Sequence, residues 1–265
     1  MLTTGQSWAL DKLTATSDPN PMIPIADVPN QLAGLGYERV ETISGTTYKD
    51  CSTVILAPTR GAIHWKVVQA WQNLMPTMNQ KRAFLFATGH EVGYAYNTMI
   101  QNVLNNPELK TWKYIFTLED DNLPPPNALQ LLIETIEAGH YDAVSGIYFT
   151  KGDYNMPMAY GNPDKYRATG ELDFVPRNVV EALQNGNVME VNGIAQGCSL
   201  YRMDLFRDIA APWFVTMNEW TPEKGGACFT QDLWFCQKAK IAGKRFAVDF
   251  RVKVGHIDIS SGIVY

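Results

Sequence analysis

The sequence predicts an α/β domain, with a mostly parallel central sheet flanked by helices and an irregular arm ahead of it. Three observations predict this. At 265 residues and 46% hydrophobic, the chain can bury the core of one large domain rather than two small ones. From Cys51 onward, short β-rich runs alternate with helical ones, the pattern of βαβ units. Before that point Pro19, Pro21, Pro24 and Pro29 interrupt a stretch of weak periodicity, which reads as an arm or small lobe over 1–50 ahead of a catalytic domain over 51–265.

The elements follow in order. STVILA reads as a strand, HWKVVQAWQNLM as a helix, RAFLFAT as a second strand, and Ala95 to Leu104 as a second helix. KYIFTL (113–118) is the next strand, and a proline-rich turn then opens a helix from Pro126 to Glu137. DAVSGIYF (142–149) is a further strand. Between Thr150 and Asn187, Gly, Pro, Asp and Asn dominate and periodicity fades, so this stretch predicts a long excursion above the sheet. VMEVNGIAQGCSLYRMDLF (188–206), a Trp-containing loop (212–229), the helix TQDLWFCQKAKIAG (230–243) and strands around FAVDF and VKVGH complete the chain.

Charge and cysteine content narrow the partners. The net charge of -5 supplies no basic footprint for a phosphate backbone, which disfavours nucleic acid without closing it off, since a local basic patch can hide in an acidic average. Four cysteines without a C-x-x-C pair, in a chain this long, do not make a disulfide scaffold, and a reducing, cytoplasmic compartment is the expectation. MLTTGQSWALDKL lacks a basic and apolar leader pattern, and nowhere do apolar residues reach the ~18 of a membrane span. A soluble protein without cleaved targeting is therefore expected.

The first chemical constellation is LEDDN (118–122), directly after the apolar strand. Ligands of parallel α/β sheets bind beyond the carboxyl ends of strands, and crowded carboxylates there repel one another unless a cation neutralises them. Oxygen ligands of this kind suit Mg²⁺ or Mn²⁺ on a diphosphate, whereas the plain alternative is a solvated acidic turn. The second is Thr230 to His256. Thr230 can cap a helix and Asp232 lies in its first turn, where an acid stabilises the helix dipole whatever else it does. His256 closes VKVGH and is either a metal ligand opposite Asp121 or an ordinary histidine. The third is APTRG (57–61), at the end of the first strand. The chain has no G-x-G-x-x-G and no G-x-x-x-x-G-K-[ST], which argues against a Rossmann dinucleotide site or a P-loop.

Taken in order, these motifs resemble the GT-A glycosyltransferases, family 2 and its relatives in particular. The resemblance runs over about residues 51 to 258: P-T-R, the acidic triplet, S-G-x-Y, a Gly-rich turn, P-W-F, a Q-D helix and G-H. Glu119-Asp120-Asp121 is similar to the D-x-D motif, with Glu119 in the first acidic position. The resemblance implies that Asp121 and His256 bind the metal, that Glu119 faces metal or ribose, and that Asp120 lines the donor site. Pro58, Thr59 and Arg60 would pack on nucleobase and ribose, although Arg60 also reads as a surface charge. VGYAYNTMI (92–100) is similar to the segment presenting a donor-binding Arg-Asn pair; Tyr96 replaces the arginine and Asn97 remains a candidate. Gly193 and Gly197 would let backbone approach the donor sugar or simply serve tight turns. Trp213, Phe214 and Trp220 form either an aromatic wall or ordinary packing, and Gly225 and Gly226 after Lys224 suggest a closing lid.

The activity this implies is transfer of a sugar from a nucleotide-diphosphate donor, a UDP-sugar, to an acceptor hydroxyl. The divalent cofactor is Mn²⁺ or Mg²⁺, an imidazole ligand favouring Mn²⁺. Asp232 would serve as general base in an inverting reaction, with Gln231 where the family carries Glu. The nearest alternative is a retaining GT-A enzyme, in which Asp232 positions substrate. Further rivals are a nucleotidyltransferase, a metal-dependent phosphoesterase and a non-catalytic nucleotide-sugar or glycan-binding module.

Overall fold

Two strands announce an interior place in the sheet by being apolar without alternation. TVILAPT and YIFTL carry apolar side chains on both faces, so they are stable only when covered from both sides. The structure, a computed structural model, describes residues 50–77, 80–223 and 225–265, so the arm predicted over 1–50 lies outside the described residues save Asp50. Lys49–Tyr265 forms one unit. In it β1 (Thr53–Thr59) and β3 (Tyr114–Leu118) are buried along nearly their whole length and pair in parallel. β2 (Arg82–Thr88) pairs in parallel on the outer side of β1, and its partial exposure matches an edge position.

The seven-stranded sheet has the order β2-β1-β3-β9-β5-β12-β7. Besides the three strands above, it contains β5 (Ala143–Ile147), β7 (Val188–Val191), β9 (Cys198–Arg202) and β12 (Phe246–Lys253). β5 and β12 run parallel, β9 runs antiparallel to both β3 and β5, and β7 runs antiparallel to β12. Five strands thus share one direction and two oppose it, which gives a mixed sheet. The sequence alternation shows the parallel strands. It does not show that 198–202 turns back into the middle of the sheet.

Helices cover both faces. α1 (Trp65–Gln72) follows β1, with the His64 ring accepting from the Lys66 N–H at its start. α2 (Val92–Asn105) buries Ala95, Tyr96, Met99, Ile100 and Val103, the i, i+3, i+4 stripe of a helix with one core face. α3 (Ala128–Ala138) buries Leu129, Leu132, Ile133 and Ile136 in the same way, and begins two residues beyond the predicted Pro126. Successive residues of β1 point to opposite faces: Val54 and Leu56 join the core containing α2, and Ile55 joins the core containing α3. The excursion between Thr150 and Asn187 contains β6 (Ala159–Tyr160), α4 (Pro163–Thr169) and α5 (Val180–Asn185), and β6 pairs with β8 (Gly193–Ile194). α6 (Leu205–Asp208) follows β9. β10 (Met217–Thr221) and β11 (Gly225–Phe229) form a hairpin whose second strand opens at the predicted lid glycines; Lys224 lies outside the described residues. α7 (Gln231–Ile241) leads into β12.

No disulfide links the four cysteines. No helix among the described residues is long and apolar enough to cross a membrane.

Candidate active site

Parallel neighbours bring their carboxyl ends together, so β1 and β3 necessarily set the P-T-R turn beside the acidic triplet. A cleft of about 230 Å³ lies there, lined by Pro58, Thr59, Arg60, His90, Val92, Glu119, Asp120, Asp121 and Gln231. Six of these residues were expected from the sequence. A hydrogen bond reinforces their convergence: the Arg60 backbone N–H donates to Asp120 Oδ2 at 3.0 Å, tying one strand-end loop to the other.

The triplet is held from below and from the side. The Glu119 N–H donates to the Gly197 carbonyl (3.0 Å), and the Thr117 hydroxyl donates to the Gln196 carbonyl (2.5 Å). The Ile257 N–H donates to the Asp121 carbonyl (2.8 Å), and β4 (Asn122–Leu123) pairs antiparallel with β13 (Gly255–His256), opposing His256 to Asn122. That short ladder brings the two candidate metal ligands together from positions 135 residues apart in sequence.

His256 Nδ1 lies 2.7 Å from the Phe149 carbonyl oxygen, an atom that only accepts, so Nδ1 carries the proton and Nε2 presents a lone pair when the ring is neutral. Nε2 faces Asp121 Oδ2 at 3.6 Å, longer than a hydrogen bond. The Lys151 ammonium contacts the same oxygen at 2.5 Å. Asp121 Oδ1 is buried and has no hydrogen-bond partner among the described residues. Burial would push the Asp121 carboxyl up, but His256 and Lys151 outweigh it and hold it below the usual range.

Glu119 behaves oppositely. Burial, reinforced by the carboxylates of Asp121, Asp232 and Asp120, pushes it up to about 8, with Lys151 opposing. Asp232 is half-buried at the start of α7, its Oδ1 accepting from the Leu233 N–H at 2.8 Å. Its carboxyl is raised by burial against the pull of Thr230 and backbone hydrogen bonds. Thr230 occupies the N-cap position but caps no helical N–H with its side chain.

This geometry tests the fit of a divalent ion. A histidine whose far nitrogen is fixed by a carbonyl, facing a carboxylate with one orphaned oxygen, is the donor chemistry such an ion takes. Asp121 and His256 therefore fit. Among the described residues no group of three or more His, Cys, Asp or Glu side chains is arranged for a metal, so Glu119 does not complete a set with them.

Several expectations are corrected by where the side chains lie. Asn97 is committed elsewhere: its Oδ1 accepts from the Trp213 and Phe214 N–H groups, and its Nδ2 donates to the Gly93 and Phe214 carbonyls. No capacity is left for a nucleotide. Trp213 and Phe214 are core residues rather than a ligand wall, Phe214 packing on Phe235 at 4.7 Å between centroids; the Trp220 side chain lies outside the described residues. At Gly197 an added Cβ would stand 2.1 Å from Asn122 Oδ1 and 2.7 Å from the Tyr148 hydroxyl, so the glycine serves close packing under the triplet.

His90, Val92 and Lys151 escaped the sequence reading, and Gln231 was read there only as a replacement for Glu in the helix motif. His90 stands just past β2, so the strand-end argument that selected P-T-R would have selected it too. Gln231, with Asp232 beside it, forms the cleft wall at α7. A larger cavity, about 740 Å³, is lined by α4, α5 and β7, but of its three acids Asp164 and Glu190 are already paired with Arg167.

Fold and site together define an α/β protein with an acidic cleft at the carboxyl edge of its sheet. No family model and no curated protein matches the chain. Among solved structures it is similar to the crystal structure of A197 from STIV, with a TM-score of 0.53 and 18% identity over 78% of this chain and 86% of that one. A crystal structure of GalNAc-T7 with UDP, GalNAc and Mn²⁺ aligns with a TM-score of 0.49 and 9% identity, over 80% of this chain but 45% of that one. At 18% identity the likeness to A197 is one of fold.

Proposed function

We propose that the chain is a GT-A-type glycosyltransferase that moves a sugar from a nucleotide-diphosphate donor, a UDP-sugar, to an acceptor hydroxyl. The observation carrying this reading is Asp121, which lines the same cleft as the P-T-R turn: its Oδ1 is buried and unpartnered among the described residues, and its Oδ2 faces the imidazole of His256. When bound, Mn²⁺ or Mg²⁺ would supply positive charge to the departing diphosphate. Asp121 and His256 would hold that ion, Glu119 and Asp120 would border it, and Pro58, Thr59, Arg60 and His90 would flank base and ribose. Asp232 would take the proton of the acceptor hydroxyl as that oxygen bonds to the anomeric carbon and the bond to the diphosphate breaks.

One observation favours a second reading. Gln231 rather than Asp232 lines the cleft, which suits a retaining enzyme in which Asp232 positions substrate. The anomeric configuration of the product separates the two.

The test is a panel of nucleotide sugars with Mn²⁺, scored by thermal shift and by release of the nucleotide. A uridine nucleotide should give the largest shift, and Asp121→Asn should remove the Mn²⁺-dependent part. A flat panel, or Asp121→Asn with full turnover, would overturn the proposal.

A further inference from the structure

Lys151 has no place in the motifs that suggested the activity, yet its ammonium contacts the carboxylate at the centre of the site. It stands on the segment after β5, where the Thr150 N–H donates to the Met156 carbonyl and the Met156 N–H to the Thr150 hydroxyl, both at 2.8 Å. The bridge between Phe149 and Pro157 closes the same neck. Phe149 also gives its carbonyl to His256 Nδ1. The backbone of Lys151 is thus fixed next to the site, while its side chain, a flexible four-carbon stem, is about 30% exposed rather than packed in.

The ammonium lies 2.5 Å from Asp121 Oδ2, the oxygen that also faces His256 Nε2. Oδ1 of the same carboxylate is buried without a partner among the described residues. Asp121 is therefore satisfied on one oxygen by a monovalent cation and unsatisfied on the other. A divalent ion held between Asp121 and His256 could not share Oδ2 with an ammonium at that distance, because like charges a few ångströms apart repel strongly in a partly buried site. Binding of the ion on Oδ2, between Asp121 and His256, would release Lys151. A nucleotide diphosphate would at the same moment bring phosphate oxygens to the cleft, and an ammonium is a good point-charge partner for them.

We propose that Lys151 is an exchangeable counter-ion: it neutralises Asp121 while no divalent ion is bound, and passes to the phosphate oxygens of a nucleotide diphosphate when the ion takes its place. This rests on the nucleotide-sugar transferase reading, and it makes Lys151 a donor-binding residue. It also implies that ion and nucleotide help each other to bind, since the displaced ammonium gains a new partner only when diphosphate is present.

The experiment uses the full chain and calorimetric titration of MnCl₂ alone, then of UDP at saturating Mn²⁺. Charged hydrogen bonds of this kind correspond to about tenfold in affinity. Lys151→Met should bind Mn²⁺ alone about tenfold more tightly than the wild type and should bind UDP about tenfold more weakly in its presence. Lys151→Arg should restore most of the UDP affinity. Lys151→Gln, which keeps a polar group on this exposed segment, should reproduce the Met variant and guards against a folding defect. Wild type binding both ligands, with Lys151→Met and Lys151→Gln indistinguishable from it, overturns this proposal alone. Absence of saturable Mn²⁺ binding to the wild type, or unchanged Mn²⁺ binding in Asp121→Asn, overturns the metal-site reading and this proposal with it.

Discussion

Replacing Gly197 by alanine probes how the acidic triplet is supported. The Gly197 backbone is outside the left-handed region, so alanine can adopt its conformation and the cost comes from contacts alone. The new methyl would stand 2.1 Å from Asn122 Oδ1, 2.7 Å from Asn122 Cγ and 2.7 Å from the Tyr148 hydroxyl. Asn122 and Tyr148 are both buried, and the Tyr148 hydroxyl accepts from the Gly197 N–H at 2.7 Å, so neither can withdraw freely. Overpacking of this kind costs about 1–3 kcal/mol, and loss of the hydrogen bond adds about 1 kcal/mol. Against this, alanine restricts the unfolded chain and recovers about 0.5 kcal/mol. The net destabilisation is about 1.5–3.5 kcal/mol, which for a domain of this size lowers the melting temperature by about 3–14 °C. Thermal unfolding followed by far-ultraviolet circular dichroism measures it. UDP affinity should fall as well, because the Gly197 carbonyl holds the Glu119 N–H and the displaced Asn122 adjoins Asp121. A variant that melts within about 1 °C of the wild type and binds UDP equally would refute the argument that close packing at Gly197 sets the triplet.

Two other substitutions separate stability from chemistry. Asn97→Ala strips partners from the Trp213 and Phe214 N–H groups and should destabilise by about 3 kcal/mol, with UDP affinity nearly unchanged among folded molecules; lost UDP binding at unaltered stability would instead make Asn97 a ligand contact. Asp232→Asn tests the buried acid. Because the folded-state carboxyl is raised, the native protein holds more protons than the unfolded chain as pH climbs past the ordinary aspartate value of about 3.9, so Asp232 costs stability there. With metal chelated, the variant should melt above the wild type at neutral pH, and the difference should vanish toward about pH 4. A variant less stable than the wild type at neutral pH would reverse that sign.

Local sequence sufficed for much of the fold. β1 and β3 are legible because unbroken apolar runs are stable only between two covered faces, and α2 and α3 because their apolar residues recur with the helical period. It also located the cleft, since P-T-R and the acidic triplet both follow parallel strands and strand ends of one polarity lie on one edge. Residues 198–202 were different: their apolar character is equally compatible with an edge or a centre, and only pairing with both β3 and β5 puts them in the middle. The assignment of Asn97 went astray, and the choice between wall and packing for Trp213 and Phe214 stayed open, for a related reason. An amide or aromatic side chain has the same composition whether it meets a ligand or the protein's own backbone, and here the partner is 116 to 117 residues away. Lys151 sits 30 residues from Asp121, and no periodicity links them. What the sequence determined is what depends on neighbours along the chain, namely the period of burial and the polarity of strand ends. Tertiary structure alone decided which polar groups already have partners, because hydrogen bonds and ion pairs reach only about 3 Å and depend on distances that chain order does not set.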